Sequence, residues 1–364
     1  MRGRPLARDL MVATSDVVWS EQGTTPDAIE AALRDLLIQR HAENESFVPA
    51  RVLNMIAFVD RAWSGEIANR LRGVGRYHAS RLLVLSYEPG RERLDARVMI
   101  ASEGEPGPGE LALLRETVVV EIGDRHLDDL LTIADPLVVT DLPTLLWSPH
   151  GHHEIVEMLL AMSQAILLDS VDEPDAGEAL ARASALAKQV YVVDLAWLRS
   201  TPWRERVAAA FDPPWMRPEL RRIAAVTVRH HPASTVAATL LLGWLASRLG
   251  WQSETLSADG EGLVGRSRGG RRQIALRLEL APELAVPGLD RVALETGTGL
   301  ALSLARGSGG LRARSRARGG EEREWTIPGA SRGESGVLGE GIRQALLRDP
   351  TYVPAVDAAR ALLA

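Results

Sequence analysis

Cysteine is absent from all 364 residues. Disulfides, thiolate nucleophiles, cysteine-ligated zinc and iron–sulfur clusters are therefore excluded, and with them any thiol-based redox switch. Lysine is almost missing as well. Lys188 is the single lysine among 42 Lys and Arg residues, so a Schiff-base or phosphate-loop lysine has one candidate. Its surroundings, ALARASALAKQVY, read as a helix and not as a glycine-rich loop. No apolar run approaches the ~18 residues of a membrane-spanning helix. The opening MRGRPLARDLMVATSDVVW lacks the continuous apolar stretch of a signal peptide, because Arg8 and Asp9 interrupt it. These absences predict a cytoplasmic chain with no membrane partner and a flexible N-terminus over residues 1–20.

What is present fits an ordinary globular protein of about two domains, since 46% hydrophobic and 25% charged residues can build real cores. A net charge of -6 argues against nucleic acid as the global partner. TTPDAIEAALRDLLIQR (24–40) places Thr25 as N-cap and Pro26 at the first helical position, ahead of Ile29, Leu33, Leu36 and Leu37 at helical spacing. Strand patterns at 52–59 and in SRLLVLSYE alternate with the helix AWSGEIANRL. EPGPGE (105–110) is a turn, LLRETVVVEIG a strand, and 124–133 a helix. Residues 137–140 read as a short strand that Pro143 breaks, resuming at 145–147. A helix at 154–162 and a strand at 165–168 follow.

This alternation predicts an α/β fold: two α/β domains with mostly parallel strand–helix alternation, the second extended by an antiparallel β meander and C-terminal helices. The acidic stretch DSVDEPDAG is the linker, giving an N-terminal domain at 21–170 and a C-terminal domain at 171–364. In the latter, IAAVTVRHH, STVAATLLLGWLASRLG and WQSETL form a β-α-β unit whose strands should be parallel. Arginine-rich β hairpins follow over about 258–328. Gly269-Gly270 and Gly319-Gly320 suit two-residue turns needing positive φ.

Several constellations bear on chemistry. SPHGHHE gathers His150, His152, His153 and Glu154, which could ligate zinc, but the i, i+4 spacing of a helical zinc site is missing and the cluster reads as a polar turn starting a helix. His230 and His231 stand where a strand meets a helix, with no glycine for close phosphate approach, so cap and turn chemistry is expected. The glycines of GEPGPGE and GTGLALSLARG lack the strand-to-helix setting of a dinucleotide loop. No catalytic residue, cofactor or metal site is assigned. Arg312, Arg314, Arg316 and Arg318 alternate along one strand face, with Arg318 set opposite Glu321, and Arg266, Arg268, Arg271 and Arg272 line a second hairpin. Both read as a solvated sheet face or as an anion surface. DPLVVTDLPTLLW and DLAWLRSTPWRE bring Trp147, Trp197 and Trp203 together with Arg199 and Arg204. Tryptophan and arginine are the residues enriched at binding hot spots, so these five are the candidate partner-binding residues, set against core filling.

The segments RVLNMIAFVD, HASRLLVLSYEPG, DPLVVTDLPTLLW, AILLDS, DLAWLRSTPWRE and LLLGWLASRLGW, in this order and spacing, resemble the OpcA glucose-6-phosphate dehydrogenase assembly proteins over about residues 51–251. The resemblance implies a protein that is not an enzyme. It would bind glucose-6-phosphate dehydrogenase, favour the active oligomer and raise flux into the oxidative pentose phosphate pathway. In this chain Ser148 replaces a second tryptophan after Trp147, and Ala79 replaces a proline after His78. Thiol control of the kind found in photosynthetic members cannot operate without cysteine. The competing expectations are an anion- or nucleic-acid-binding module acting through the arginine hairpins, and a metal hydrolase using His150, His152 and His153.

Overall fold

Aliphatic runs buried on both faces make the sheet at the heart of the first unit. The computed structural model describes residues 17–49, 51–74, 80–102, 111–317, 319–328 and 333–364, and the chain divides into units of 1–166 and 167–364. Residues 1–16, the turn expected at 105–110, His78, Ala79 and Arg318 lie outside the described residues.

In the first unit, β1 (Val17–Glu21) precedes α1 (Pro26–Glu43), which Thr25 caps by accepting from Ala28 N at 3.3 Å. Next come β2 (Phe47–Pro49), β3 (Leu53–Asp60), α2 (Arg61–Val74), β4 (Ser80–Tyr87), β5 (Asp95–Ser102), β6 (Ala112–Ile122), α3 (Leu130–Ala134), β7 (Thr144–Trp147), α4 (His153–Leu159) and β8 (Ala165–Leu168), the last crossing the boundary. The strand order is β1-β5-β6-β4-β3-β7, with β2 beside β6. β6, β4, β3 and β7 are parallel, and β5 and β1 add an antiparallel edge. Strands buried on both faces read as continuous hydrophobic runs, which is why LNMIAFVD and SRLLVLSY stand out in the sequence.

Residues 137–140 are not a strand. Asp135–Leu137 is a 3-10 turn, and the backbone after it is held by a side chain instead of a ladder. Asn54 Oδ1 accepts from Val139 N, and its Nδ2 donates to Val139 O, both at 2.9 Å.

The second unit runs through α5 (Ala176–Leu186), β9 (Tyr191–Asp194), α6 (Leu195–Arg199), α7 (Thr201–Phe211), α8 (Arg217–Leu220), β10 (Ile223–His230), α9 (Thr235–Leu249), β11 (Gln252–Ser253) and β12 (Ser257–Asp259). The meander is β13 (Gly262–Gly269), β14 (Arg272–Leu280), β15 (Leu289–Thr296), β16 (Ala301–Gly307), β17 (Gly310–Arg316) and β18 (Glu322–Pro328), closed by α10 (Gly333–Leu347) and α11 (Tyr352–Leu363). Its sheet has the order β11-β13-β14-β10-β15-β16-β17-β18, with β12 beside β13. The chain is thus α/β with an antiparallel meander and terminal helices.

The β-α-β expectation is corrected in its partner. β11 pairs antiparallel with β13, and the strand parallel to β10 is β14. After α9 the chain first builds the sheet edge, and only on its return through β14 reaches β10. The hairpin turns also shift. Gly269 pairs with Arg272, so Gly270 and Arg271 form the loop, with Gly270 at φ +64°. A positive φ at the first loop position alone is the II′ pattern. The Gly319-Gly320 connection is longer than two residues, because Arg316 pairs with Glu322.

Candidate functional site

DLAWLRSTPWRE folds as two short helices meeting at Ser200. Asp194 starts the first by accepting from Ala196 N at 2.9 Å, and Pro202 sits in the first turn of the second. Spacings of three and seven residues bring Trp197, Ser200 and Arg204 onto one helical face. The Arg204 guanidinium lies 3.3 Å from the Trp197 ring centroid and donates to Trp197 O at 3.2 Å, Ser200 Oγ at 3.1 Å and Thr201 Oγ1 at 2.9 Å. Trp197 Nε1 donates to Asp349 Oδ2 at 2.9 Å, and its ring meets Tyr352 edge-on at 5.6 Å. Burial pulls the Arg204 pKa down to about 10, with Asp349 opposing the shift. Arg204 therefore remains a cation at neutral pH.

A second group of buried donors and acceptors adjoins it. Asp194, 1% exposed, accepts from Ser170 N at 3.2 Å, Ser170 Oγ at 2.6 Å and Tyr352 OH at 2.9 Å, besides Ala196 N. Burial still raises its pKa above the usual carboxylate range, and burial beside Asp194 raises the Tyr352 phenol well above its own. Asp169 pairs with Arg199 at 2.6 Å, which should lower its pKa. Burial outweighs that pairing and, with Asp194 adding to it, lifts Asp169 to about 7. The Arg199 side chain keeps 29% of its surface in water and the Asp169 side chain only 9%, so the attraction is screened more than the desolvation is relieved. This network can hold geometry rigidly.

Trp147, Trp197, Trp203 and Arg204 are 3%, 2%, 6% and 8% exposed. Trp147 is the last residue of β7, in register with Ala57 of β3. Trp203 belongs to the core with Val207 and Phe211. Arg199, partly exposed, is tied to Asp169. Of the arginine stripes, Arg312 and Arg314 meet Glu324 at 3.6 Å and Glu322 at 2.7 Å, and Arg316 stands opposite Glu322 in register. The expected Arg318–Glu321 pair falls outside the described residues. Arg266, Arg268, Arg271 and Arg272 are exposed on the β13–β14 hairpin.

The histidines of SPHGHHE diverge. His150 lies tilted against Trp63 at 5.6 Å, His152 turns edge-on to Phe58 at 4.9 Å with Asp60 at 3.0 Å, and His153 is exposed. Among the described residues no group of three or more His, Asp or Glu is placed to hold a metal ion. His231 Nδ1 accepts from Ala233 N at 3.1 Å, the cap chemistry expected of it.

Sequence reasoning missed the partners of Trp197. Tyr352 and Asp349 lie more than 150 residues away, and no local pattern links them. It also missed Trp215, 75% exposed, whose signal was the string DPPWMRP. GRSRG at 265–269 has the letters of a nucleophile elbow, but it lies within strand β13, and Ser267 is buried against Ser253 at 2.7 Å. An elbow needs a strand-to-helix turn.

Solved structures similar to this chain include the WlbA dehydrogenase from Thermus thermophilus, at 15% identity over 85% of this chain and 94% of that one, with a TM-score of 0.43. A scyllo-inositol dehydrogenase from Lactobacillus casei matches at 12% identity over 87% and 96%, with a TM-score of 0.46. Likeness at these scores carries no argument about function. Curated relatives include the OpcA proteins of Synechococcus elongatus, 28% identical over 40% of this chain and 34% of the relative, and Nostoc punctiforme, 35% identical over 32% and 26%. The matched stretch spans about a third or less of the length of these relatives. Two family models match in order along the chain, the glucose-6-phosphate dehydrogenase subunit N-terminal domain over residues 72–185 and the C-terminal domain over 190–356. The chain belongs to the OpcA family of glucose-6-phosphate dehydrogenase subunits.

Proposed function

We propose that this chain is a non-catalytic assembly factor and allosteric activator that binds glucose-6-phosphate dehydrogenase in the cytoplasm and favours its active oligomer. The observation that carries this reading is the consecutive match of both subunit domains. The interior supports it. Asp194 and Tyr352 are hydrogen-bonded to each other, Arg204 is bonded to Trp197 O and neighbouring hydroxyls, and Asp169 is paired with Arg199. A catalytic group has to reach the reacting atoms.

The mechanism is linkage. A protein that binds the active conformation more tightly than the inactive one shifts the equilibrium by its differential affinity. A preference of ~1–3 kcal/mol changes enzyme affinity or oligomer population roughly 5- to 150-fold. The Trp197–Arg204–Asp349 joint holds α6 and α7 in one arrangement, so the surface they support arrives preorganised.

The test mixes the full chain with the dehydrogenase of the same cell, following co-elution and the glucose 6-phosphate saturation curve together. A shared elution peak and saturation at lower substrate are expected. Separate elution at high micromolar concentration, or turnover of glucose 6-phosphate by the isolated chain, overturns the reading.

A further inference from the structure

We infer that Trp215 and the arginines around it form the enzyme-docking knob of this chain, seating an exposed indole in an apolar recess rimmed by carboxylates on the partner. This rests on the function proposed above and names the surface that carries it out.

The loop between α7 and α8 is rigid without being buried. Met216, 5% exposed, is sunk into the core with Phe211 and Ile223. Pro213 and Pro214 precede the tryptophan and restrict the backbone. Pro213 O accepts from Met216 N at 2.8 Å and from Arg217 N at 3.2 Å, and Arg217 Nε donates to Asp212 O at 2.8 Å. With its neighbour anchored inward, Trp215 is turned out, 75% exposed between the exposed Pro214 and Pro218. Exposure of so large an apolar ring is costly to a free monomer. Holding it still lowers the entropy lost when a partner covers it.

The charges beside it decide what covers it. Arg217, Arg221, Arg271 and Arg272 are all exposed, and none forms an ion pair among the described residues. Their neighbour Arg222 shows the contrast, paired with Glu219 at 2.9 Å. Arg272 Nη1 donates to Arg221 O at 2.9 Å, fastening the tip of the β13–β14 hairpin to the end of α8. α8 has four residues, about 6 Å of helix, so Arg217 and Arg221 follow Trp215 within a short stretch of chain, and the Arg272–Arg221 bond brings the hairpin tip with Arg271 to the same segment. On a chain of net charge -6, four exposed arginines without an ion pair on the segments next to an exposed tryptophan match a partner surface of opposite sign. Arginine and tryptophan are also the residue types that dominate binding hot spots. A polyanion would use the arginines without needing the apolar ring.

The side chains of Trp215, Arg221 and Arg271 make no hydrogen bond or ion pair among the described residues, so their substitution leaves the fold in place. The experiment immobilises the dehydrogenase of the same cell and titrates the full-length wild type, Trp215→Ala, Trp215→Phe and Arg221→Glu with Arg271→Glu. Thermal melts confirm that each variant is folded. Trp215→Ala should weaken binding by about 30-fold or more, the scale of a hot spot, and Trp215→Phe should recover part of it. The arginine reversal should slow association at low salt and lose that effect at high salt. Wild-type binding with undiminished affinity in Trp215→Ala overturns the knob and leaves the assembly reading standing. No wild-type binding overturns both. A chain that binds heparin through the same arginines, indifferent to Trp215, overturns the knob in favour of a polyanion surface.

Discussion

Arg204 lies against the Trp197 ring inside the second unit, its guanidinium 3.3 Å from the ring centroid. Nothing local says whether the stack faces water, because its completing groups, Asp349 and Tyr352, arrive from the chain's far end. Trp197→Ala should cost about 3–5 kcal/mol, as for other large buried aromatics. Arg204→Lys should fail to restore a lost Arg204, since an ammonium cannot stack flat while reaching three acceptors. Urea denaturation measures both; a Trp197→Ala loss below about 1 kcal/mol would remove the joint from any structural role. Asp169 supplies the pH dependence. Its folded pKa is about 7, above the ordinary 3.8, so its stabilising contribution is whole below about pH 4 and drains away as pH rises through 7. The melting temperature should fall between about pH 4 and 7 and level off above that, and Asp169→Asn should flatten that fall. An equal slope in wild type and variant would assign the dependence to other groups.

At the scale of elements, long apolar strands and capped helices were legible because their patterns are local. Thr25, Pro26 and the apolar spacing fix α1, and β3 and β4 announce themselves as unbroken aliphatic runs. Pairing partners were not legible, since β10 finds β14 only after three intervening strands. Residues 137–140 look like a strand by composition, yet Asn54 takes both backbone groups of Val139. Close helix packing was equally hidden. Gly243 on α9 leaves room for α11, and a Cβ there would meet Ala355 O at 2.3 Å and Ala359 N at 2.7 Å. Gly243→Ala should therefore destabilise the second unit by about 1–3 kcal/mol, despite alanine's better helix propensity. A neutral or stabilising result in a thermal melt would show that the two helices can part without cost. The arginine stripe is a matter of strand pairing too. Glu322 and Glu324 on β18 face Arg314 and Arg312 on β17, so Glu322→Gln with Glu324→Gln should uncover the cations and delay elution from heparin. Unchanged retention would mean that the stripe was never masked.

For the whole molecule, the ordered match of two subunit domains turns the function into a thermodynamic statement that can be checked from either end. The order of six segments was legible in the sequence. The surface proposed to meet a partner was not, because Trp147, Trp197 and Trp203 are buried, and Trp215, the most exposed tryptophan, stands in a proline-rich loop. If this chain favours the active form of glucose-6-phosphate dehydrogenase, the coupling free energy between chain and substrate belongs to both. A chain that tightens the enzyme's equilibrium affinity for glucose 6-phosphate by some factor must itself be held more tightly, by the same factor, when the enzyme is saturated with that sugar. The comparison uses dissociation constants measured without NADP, so that no turnover intervenes, with calorimetric titrations of substrate into enzyme and complex and of chain into enzyme with and without substrate. The two ratios should agree, and should lie within about 5- to 150-fold for a coupling of ~1–3 kcal/mol. A chain that raises activity while both ratios stay at one would be acting on a step after substrate binding, and selection of a tighter-binding oligomer would be the wrong mechanism.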